Sequence, residues 1–416
     1  MMTNQRILIV ANVWPEPTSS AAGTRMMQLI QFFKSKNAEI LFSCTAHPSD
    51  FIEDLNAMGI QSKKITINSN TFDAFLSEYQ PTAVIFDRFN AEEQFGWRVM
   101  QHCPKALRIL NTEDLHFLRN ARQQSIKKGI DLDLQDRSSL NSERAVREIS
   151  SIYRSDISLF VSGTEIELLK SVFNVPAHLL YYLPLFSPVP LDNTPTFEQR
   201  KDFVFIGNFR HAPNWDSILF IKEKIWKHIR KQLPDAKINV YGAYPNPKVK
   251  NLHNEKEGFL VHGRAKDAVQ VHLNARVSLA PLRFGAGIKG KLLEAMRTGT
   301  PNVTTSIGAE DMQIDHNWGG RIADNAEEIA SCAVQLYSSP SLWLGAQKQG
   351  YTIVNERFNA ALHLPAFSDR INSLMESLSV HRKQSYTAEL MQQQTVMSSH
   401  YMSLWIMEKD KNTSNK

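Results

Sequence analysis

The stretch ARVSLAPLRFGAGIKGKLLEAMRTGTPNVTTSIGAEDM, residues 275–312, decides the fold expected for this chain. Val277 to Pro281 is a short apolar run, typical of a buried strand. Leu292 to Arg297 has the composition of a helix, with Glu294 expected in its first turn. Val303 to Thr305 predicts a further strand. Strand, glycine-rich turn, helix and strand in this succession predict an α/β domain with a parallel sheet.

Glycines and lysines crowd the turn between the first strand and the helix. Gly285, Gly287 and Gly290 stand beside Lys289 and Lys291. Glycine allows the backbone to approach an anion closely, and the helix N-terminus offers unpaired N–H groups and a positive dipole end. With two added cations, the turn predicts a phosphate or diphosphate site. The alternative is an ordinary capped helix whose lysines are solvated.

Glu294 lies too close to the predicted anion to be its charge partner, and it is better suited to accept hydrogen bonds from sugar hydroxyls. The pattern G-x-K-x-K-L-L-E-A-M-x-x-G-x-P-x-V-T-T-x-x-G-A-E resembles the donor-binding signature of the family 4 (group 1) retaining glycosyltransferases, which have the GT-B fold. The resemblance implies that Lys289 holds the nucleotide diphosphate and Glu294 the ribose hydroxyls. Many members carry a further glutamate where this chain has Ala286. The other donor-binding positions implied on this loop are Gly285, Gly287 and Ile288.

Length and composition bound the remaining possibilities. A chain of 416 residues exceeds one comfortable core. We expect a Rossmann-like acceptor domain over 1–190, a Rossmann-like donor domain over 200–362, and C-terminal helices with a tail over 363–416. A formal net charge of +5 suits anionic ligands, and we expect no nucleic-acid partner. The 3 cysteines are scattered without a CxxC pair, which argues against disulfides or a zinc cluster and favours a cytoplasmic location.

The first half of the chain alternates strands and helices. Arg6 to Ala11 reads as a buried strand, and after a loop Gly23 is expected to open a helix. This order predicts a ligand-binding position at the carboxyl end of the first strand. We therefore place Gly23 among the candidate ligand-binding residues.

A polar cluster, Asn111 to His116, follows the strand predicted at Leu107 to Leu110. His116 could act as a base or hydrogen-bond a sugar hydroxyl, although a lone histidine is more often structural. In the family that the chain resembles, a histidine after this strand faces the donor sugar. The resemblance therefore favours a catalytic position for His116.

The second half restarts the pattern after a proline-containing linker, Phe186 to Arg200. A strand from Asp202 to Ile206 leads into a loop with Gly207 and Arg210. In the resembling family this loop helps to hold the diphosphate, so Arg210 is a candidate cation. A later strand, Phe259 to Val261, leads to a loop that in the family packs on the nucleotide base. The candidate residues of that loop are Gly263 and Arg264.

Beyond His363 the chain is expected to be helical. Phe367 to Leu378 predicts a helix, and in GT-B enzymes a C-terminal helix crosses back to the first domain. Ala388 to Met407 could form an amphipathic helix on a membrane or a partner, and its few cations weaken the membrane alternative. Peripheral contact with the inner membrane face is therefore the weaker expectation. From Asp410 onward we expect a disordered tail.

These features predict transfer of a sugar from a nucleotide-diphosphate donor to a hydroxyl acceptor, such as a glycan or a lipid-linked sugar. By resemblance the anomeric configuration is retained. Lys289, Arg210 and helix N-termini would stabilise the departing diphosphate, so we expect neither a metal nor a cofactor beyond the donor. Two alternatives remain open. One is a sugar-nucleotide epimerase of the same fold. The other is a non-catalytic nucleotide-sugar-binding partner subunit, which the alanine at position 286 in place of the family's glutamate leaves possible.

Overall fold

The computed structural model describes residues 5–414, apart from the side chains of 394–397 and 412–414. A first parallel sheet is built from the amino-terminal half. Its strands are β1 (Arg6–Ala11), β2 (Glu39–Cys44), β3 (Gln61–Lys64), β4 (Ala83–Asp87), β5 (Leu107–Asn111), β6 (Ile157–Phe160) and β7 (Leu180–Tyr182). They lie side by side in the order β3-β2-β1-β4-β5-β6-β7, and every neighbouring pair is parallel.

Helices connect these strands and cover both faces of the sheet. They are α1 (Ala21–Ser35), α2 (Thr71–Tyr79), α3 (Phe89–His102), α4 (His116–Lys128), α5 (Arg137–Leu140), α6 (Glu143–Arg154) and α7 (Gly163–Ser171), with a 3-10 turn at Ala177–Leu179. Because both faces are covered, strands in the middle of the sheet are apolar along their whole length. Residues Ile7 to Ala11 of β1 are each 0% exposed.

The second sheet repeats the design. Its strands are β8 (Lys201–Ile206), β9 (Ile238–Tyr241), β10 (Phe259–Gly263), β11 (Ala275–Ala280), β12 (Asn302–Thr304) and β13 (Gly320–Ile322), in the order β10-β9-β8-β11-β12-β13. Its helices are α8 (Ala212–Phe220), α9 (Trp226–Gln232), α10 (Pro247–Lys250), α11 (Ala268–Asn274), α12 (Gly290–Arg297), α13 (Ser306–Ala309), α14 (Ala326–Ser338) and α15 (Pro340–Arg357), with a π-helical turn at Ile221–Ile225. All its neighbouring strands are parallel.

The last two helices, α16 (Ala360–Arg382) and α17 (Tyr386–Ser414), return to the first domain. Phe367 of α16 is 0% exposed and lies in the same core as the β1 and β2 strands. On α17, Ser403 Oγ accepts a hydrogen bond of 2.8 Å from Arg98 Nη2 of α3. Two parallel-sheet domains with a C-terminal helical crossing confirm the predicted fold class. Along the described residues, no helix combines the length and apolar character needed to span a membrane.

Several local predictions are wrong. The composition of Asp50 to Ala57 predicts a helix, but the segment contains turns instead, and Asp54 Oδ1 accepts the Ala57 N–H at 3.0 Å. This side-chain bond competes with the helical backbone bond. The tail is helical from Asp410 to Ser414, where α17 ends, and residues 415–416 lie outside the described part.

Two helix starts also differ from the prediction. Helix α12 begins at Gly290, so Glu294 lies in its second turn rather than its first. Helix α1 begins at Ala21, because Ser20 caps it by accepting the Gly23 N–H at 3.0 Å. Gly23 is therefore inside the first turn. A Cβ there would lie 2.4 Å from the Glu16 carbonyl carbon, so this glycine allows α1 to pack against the preceding loop.

Candidate active site

The loop between β11 and α12, residues 281–289, is called the glycine loop below. Gly287 has φ +62°, in the left-handed region that favours glycine. Lys289 is 8% exposed, and its Nζ donates a hydrogen bond of 2.8 Å to the Gly287 carbonyl. Burial lowers the pKa of Lys289 to about 8, against the opposing charge of Glu310. A bound anion would favour the charged form of this buried ammonium group.

Lys291 extends towards the loop that follows β8. Its Nζ donates a hydrogen bond of 2.5 Å to Asn214 Oδ1 and lies 4.7 Å from the centroid of the Phe205 ring. Burial lowers the pKa of Lys291 to about 7. A Cβ on Gly207 would lie 2.8 Å from this Nζ, so the glycine leaves room for the ammonium. Lys291 was noted beside Lys289 in the sequence, but its contact with Asn214 could not be read there.

A buried polar group stands at the carboxyl edge of the first sheet. Asn111, the last residue of β5, donates hydrogen bonds of 2.7 Å to Glu113 Oε1 and 3.4 Å to Asp87 Oδ1. Glu113 has φ +64°, which is unusual for a residue with a side chain. Burial, aided by the charge of Asp87, raises the pKa of Glu113 to about 8.

His116 is the first residue of α4. The carboxylate of Glu148 accepts the backbone N–H groups of His116 and Phe117 at 2.9 and 2.6 Å. The Nε2 atom of His116 lies 3.4 Å from Asp114 Oδ1. Burial lowers the pKa of His116 to about 4, although Asp114 opposes the shift. The imidazole is therefore neutral at pH 7 and can exchange hydrogen bonds with a hydroxyl group.

The residues between β5 and the start of α4, 112–116, are called the His116 loop below. The glycine loop contacts the His116 loop at the boundary between the two domains. A Cβ at Gly287 would lie 3.0 Å from Asp114 Cβ and 3.2 Å from the Glu113 carbonyl oxygen. His211, which precedes α8, also faces this junction. Desolvation lowers the pKa of His211 to about 4, with Arg119 acting in the same direction and Asp114 against it. This contact places the loop that contains Lys289 against the loop that leads into His116 of the other domain.

Glu294 and Arg210 stand apart from that junction. Arg297 Nη2 donates to Glu294 Oε1 at 2.7 Å, and the Glu294 side chain is 28% exposed. Arg210 is exposed, with its guanidinium 3.7 Å from the Tyr244 ring centroid. The Tyr244 hydroxyl donates to Glu16 Oε2 of the first domain at 2.8 Å. It is Asn214 in the first turn of α8, rather than Arg210, that contacts Lys291 of α12.

The other predicted residues lie along the domain boundary. Gly263 ends β10 with φ +78°. Arg264 Nη2 donates a hydrogen bond of 2.7 Å to Thr18 Oγ1, and its guanidinium lies 4.2 Å from the centroid of the Phe51 ring. Ile288 is 9% exposed and shares an apolar cluster with Val161 and Leu185 of the first domain. The Gly285 carbonyl accepts a hydrogen bond of 2.8 Å from Arg122 Nη1 of α4.

Known proteins are similar to this chain in sequence. Residues 200–339 match the family described as "Glycosyl transferases group 1". A Klebsiella pneumoniae protein, described as an uncharacterized 44.6 kDa protein in the cps region, is 25% identical over 169 residues. That match spans 39% of this chain and 42% of the Klebsiella protein's length. The family match and the fold together support glycosyl transfer as the class of activity.

Solved structures share the fold over most of the chain. Sucrose-phosphate synthase from Thermosynechococcus elongatus aligns with a TM-score of 0.69 and 14% identity, covering 90% of this chain and 100% of that one. Staphylococcus aureus TarM, a mutant solved with UDP and α-GlcNAc-glycerol, aligns at 0.67 and 10% identity, with 89% and 99% covered. HepE of Anabaena with UDP and glucose aligns at 0.65 and 12% identity, with 89% and 100% covered. These similarities establish the GT-B fold.

Proposed function

We propose that this protein is a glycosyltransferase that uses a nucleoside-diphosphate sugar as donor and a hydroxyl group as acceptor. The observation that carries the proposal is the contact between the glycine loop, which contains Lys289, and the His116 loop at the boundary between the domains. One wall offers buried cations and a glycine-rich backbone, which suit a diphosphate. The opposite wall offers a neutral imidazole, which suits a sugar hydroxyl.

The chemical demand of the reaction is the departure of a diphosphate from the anomeric carbon of the sugar. Negative charge grows on the leaving oxygen as the bond breaks, and the sugar becomes oxocarbenium-like. Lys289, Lys291 and the N-terminus of α12 would stabilise that growing charge, because they are already held in place before the reaction. Glu294 would hold the ribose hydroxyls, with Arg297 fixing its carboxylate. By family resemblance, the configuration at the anomeric carbon is retained.

Donor specificity and acceptor binding extend this proposal. Gly263 and Arg264 would line the base end of the donor, beside Phe51 and Thr18 of the first domain. The acceptor, a glycan or lipid-linked sugar, would enter from the first domain, near the polar group formed by Asp87, Asn111 and Glu113. The structural neighbours solved with UDP make a uridine donor the first to test.

The direct test is a thermal-shift panel with UDP, GDP, ADP and their sugars, followed by turnover assays with the donor that stabilises most. A ligand that binds the folded protein raises the melting temperature with the logarithm of its concentration over its Kd. We expect one nucleotide class to stabilise, and its sugar donor to be consumed only when an acceptor is present. Absence of stabilisation by every nucleotide would contradict the proposal.

A non-catalytic binding subunit is the second candidate, because Ala286 packs against the apolar core of the first domain where many family members carry a glutamate. Donor binding without consumption over a broad acceptor panel would favour this candidate. Conversion of the donor in the absence of any acceptor would instead favour an epimerase.

A further inference from the structure

The first domain grips the glycine loop at two points. Arg122 of α4 donates a hydrogen bond of 2.8 Å from Nη1 to the Gly285 carbonyl. Glu165 of α7 accepts the Gly287 N–H at 2.8 Å through Oε1. A donor and an acceptor from one domain therefore hold the three-residue segment Gly285–Gly287 of the other domain. Arg122 also donates two hydrogen bonds, of 2.8 and 2.6 Å, to the Glu310 carboxylate, which is a further contact with the second domain.

The same oxygen of Glu165 also holds the His116 loop. Oε1 accepts the N–H of Leu115, the residue before His116, at 3.2 Å. One carboxylate oxygen thus joins the backbone next to the histidine and the backbone next to Lys289. These two loops belong to different sheets, so the carboxylate fixes their relative position only when the domains are together.

Local helix chemistry predicts another role for this side chain. Ser162 caps α7 by accepting the Glu165 N–H at 3.4 Å, and Ser-x-x-Glu is the pattern of a capping box. In such a box the carboxylate turns back to the N–H of the cap residue. Here Glu165 is 0% exposed and directed to Leu115 and Gly287, while its Oε2 is buried without a hydrogen-bond partner among the described residues. Helix capping does not explain this arrangement, because the side chain bonds to Leu115 and Gly287. A buried oxygen without a hydrogen-bond partner also costs stability.

We propose that Glu165 is a positioning residue that couples the His116 loop to the glycine loop. The inference rests on the proposed glycosyl transfer. During that reaction His116 faces the sugar and Lys289 faces the diphosphate. Their two loops are positioned together because both donate a backbone N–H to Glu165 Oε1. Arg122 holds the other end of the Gly285–Gly287 segment and limits its movement.

Glu148 is a matched comparison, because it performs the same bonding inside one domain. Its carboxylate accepts the N–H groups of His116 and Phe117, both in the first domain, and it is 5% exposed. Loss of Glu148 should loosen the His116 loop alone. Loss of Glu165 should loosen both loops. Exposed Glu167, which pairs with Lys170 at 2.8 Å, serves as a surface control.

The first experiment measures hydrogen exchange of peptides covering residues 113–118 and 284–290 in the full chain. We expect Glu165→Ala to speed exchange in both peptides by about tenfold or more, the size expected for a lost hydrogen bond to a carboxylate. Glu148→Ala should speed exchange in the first peptide only, and Glu167→Gln in neither. Glu165→Gln keeps an acceptor oxygen and should restore most of the protection. Unchanged exchange at 284–290 in Glu165→Ala would overturn the proposal.

The second experiment compares kinetics and UDP binding in the same variants. Glu165→Ala should lower kcat by about tenfold or more and weaken UDP, with Glu165→Gln recovering much of both. Tighter UDP binding by Glu165→Ala would mean that the carboxylate competes with the donor for the Gly287 N–H, and would overturn the coupling role. If the unsubstituted protein turns over no donor, the proposed function fails, while the exchange experiment still decides the coupling of the loops. Should Glu165→Ala not fold, Glu165→Leu, which keeps the side-chain volume but offers no acceptor, carries the same exchange test.

Discussion

Lys289 and Lys291 are separated by one residue, yet their ammonium groups have different partners. Lys289 Nζ donates to the Gly287 carbonyl at 2.8 Å, whereas Lys291 Nζ donates to Asn214 Oδ1 at 2.5 Å. One cation therefore stays with the glycine loop, and the other connects α12 to the first turn of α8. The proposed function assigns both cations to the diphosphate of the donor.

Removing either lysine should weaken nucleoside diphosphates. We expect Lys289→Ala and Lys291→Ala each to lower affinity for the preferred diphosphate by about ten- to a hundredfold, the range for a charge-assisted hydrogen bond. Turnover should fall further than ground-state affinity, because charge on the leaving group grows in the transition state. Calorimetric titration and initial rates measure both effects. Normal binding and turnover in both variants would remove the diphosphate assignment.

Nucleotide binding should consume protons. The pKa values of Lys289 and Lys291, about 8 and 7, lie below the 10.5 of free lysine. The unfolded chain therefore holds more protons above pH 7, and these groups make the unliganded protein more stable as pH rises towards 10.5. A bound diphosphate favours the ammonium form, so affinity should fall as pH rises through 8. Titration at pH 8 in two buffers of different ionisation enthalpy should report proton uptake, and identical heats would contradict this.

Glu294 should affect the ribose and leave the phosphates alone. Glu294→Gln keeps the shape but loses the charge that strengthens hydrogen bonds to hydroxyls, so nucleoside and nucleotide affinity should both fall by about tenfold. Affinity for free pyrophosphate should barely change. Arg297→Met is an informative companion, because it frees the Glu294 carboxylate from its ion pair. A large loss of pyrophosphate binding in Glu294→Gln would place the carboxylate at the wrong end of the donor.

His116 should matter for turnover and little for nucleotide binding. We expect His116→Ala to reduce kcat by about a hundredfold or more while the Kd for UDP stays nearly constant. Because the pKa of His116 is about 4, it should produce no break in the rate profile near pH 6.5. Exposed His316 supplies a control substitution to alanine. Equal losses of binding and turnover would make His116 a structural residue.

Closure of the cleft should depend on Gly290. A Cβ there would lie 2.9 Å from Ala21 Cβ and 3.3 Å from Leu185 Cδ2, both in the first domain. Gly290→Ala should therefore hold the domains apart, with the linker at 186–200 acting as the hinge. Gly345→Ala is the control, because a Cβ at Gly345 meets nothing within 4 Å. Small-angle scattering at saturating UDP should give a larger radius for Gly290→Ala only, and equal radii would count against closure at this contact.

Most strands could be predicted because their evidence is local. Ile7 to Ala11 is apolar throughout, and β1 spans Arg6–Ala11 as predicted. Patterns that tertiary contacts or single side chains can override were less reliable. Asp50 to Ala57 has helical composition, yet the Asp54 side chain and neighbouring turns replace the helix. The start of α12 was misplaced because Gly290 is a poor helix former in isolation.

The site was predictable only where one segment contains it. Lys289 and its glycines form a continuous stretch, so their chemistry can be read in sequence. Lys291 and Asn214 are 77 residues apart, and Glu165 and Gly287 are 122 apart. The sequence around each of these residues does not predict its distant partner. Glu165 even carries the signature of a different local role, which the contact between the two domains overrides.

The return of α16 to the first domain has a consequence for the order in which the protein folds during synthesis. Phe367 lies 4.7 Å from Phe32 between ring centroids, and Ile371 and Leu374 occupy the same core. The second domain is one continuous segment and can finish folding as soon as it leaves the ribosome. The first domain, although translated first, must wait for residues near the end of the chain. Until they arrive, the part of the core that Phe367 covers is exposed, and exposed apolar surface of this kind makes a folding intermediate prone to aggregation.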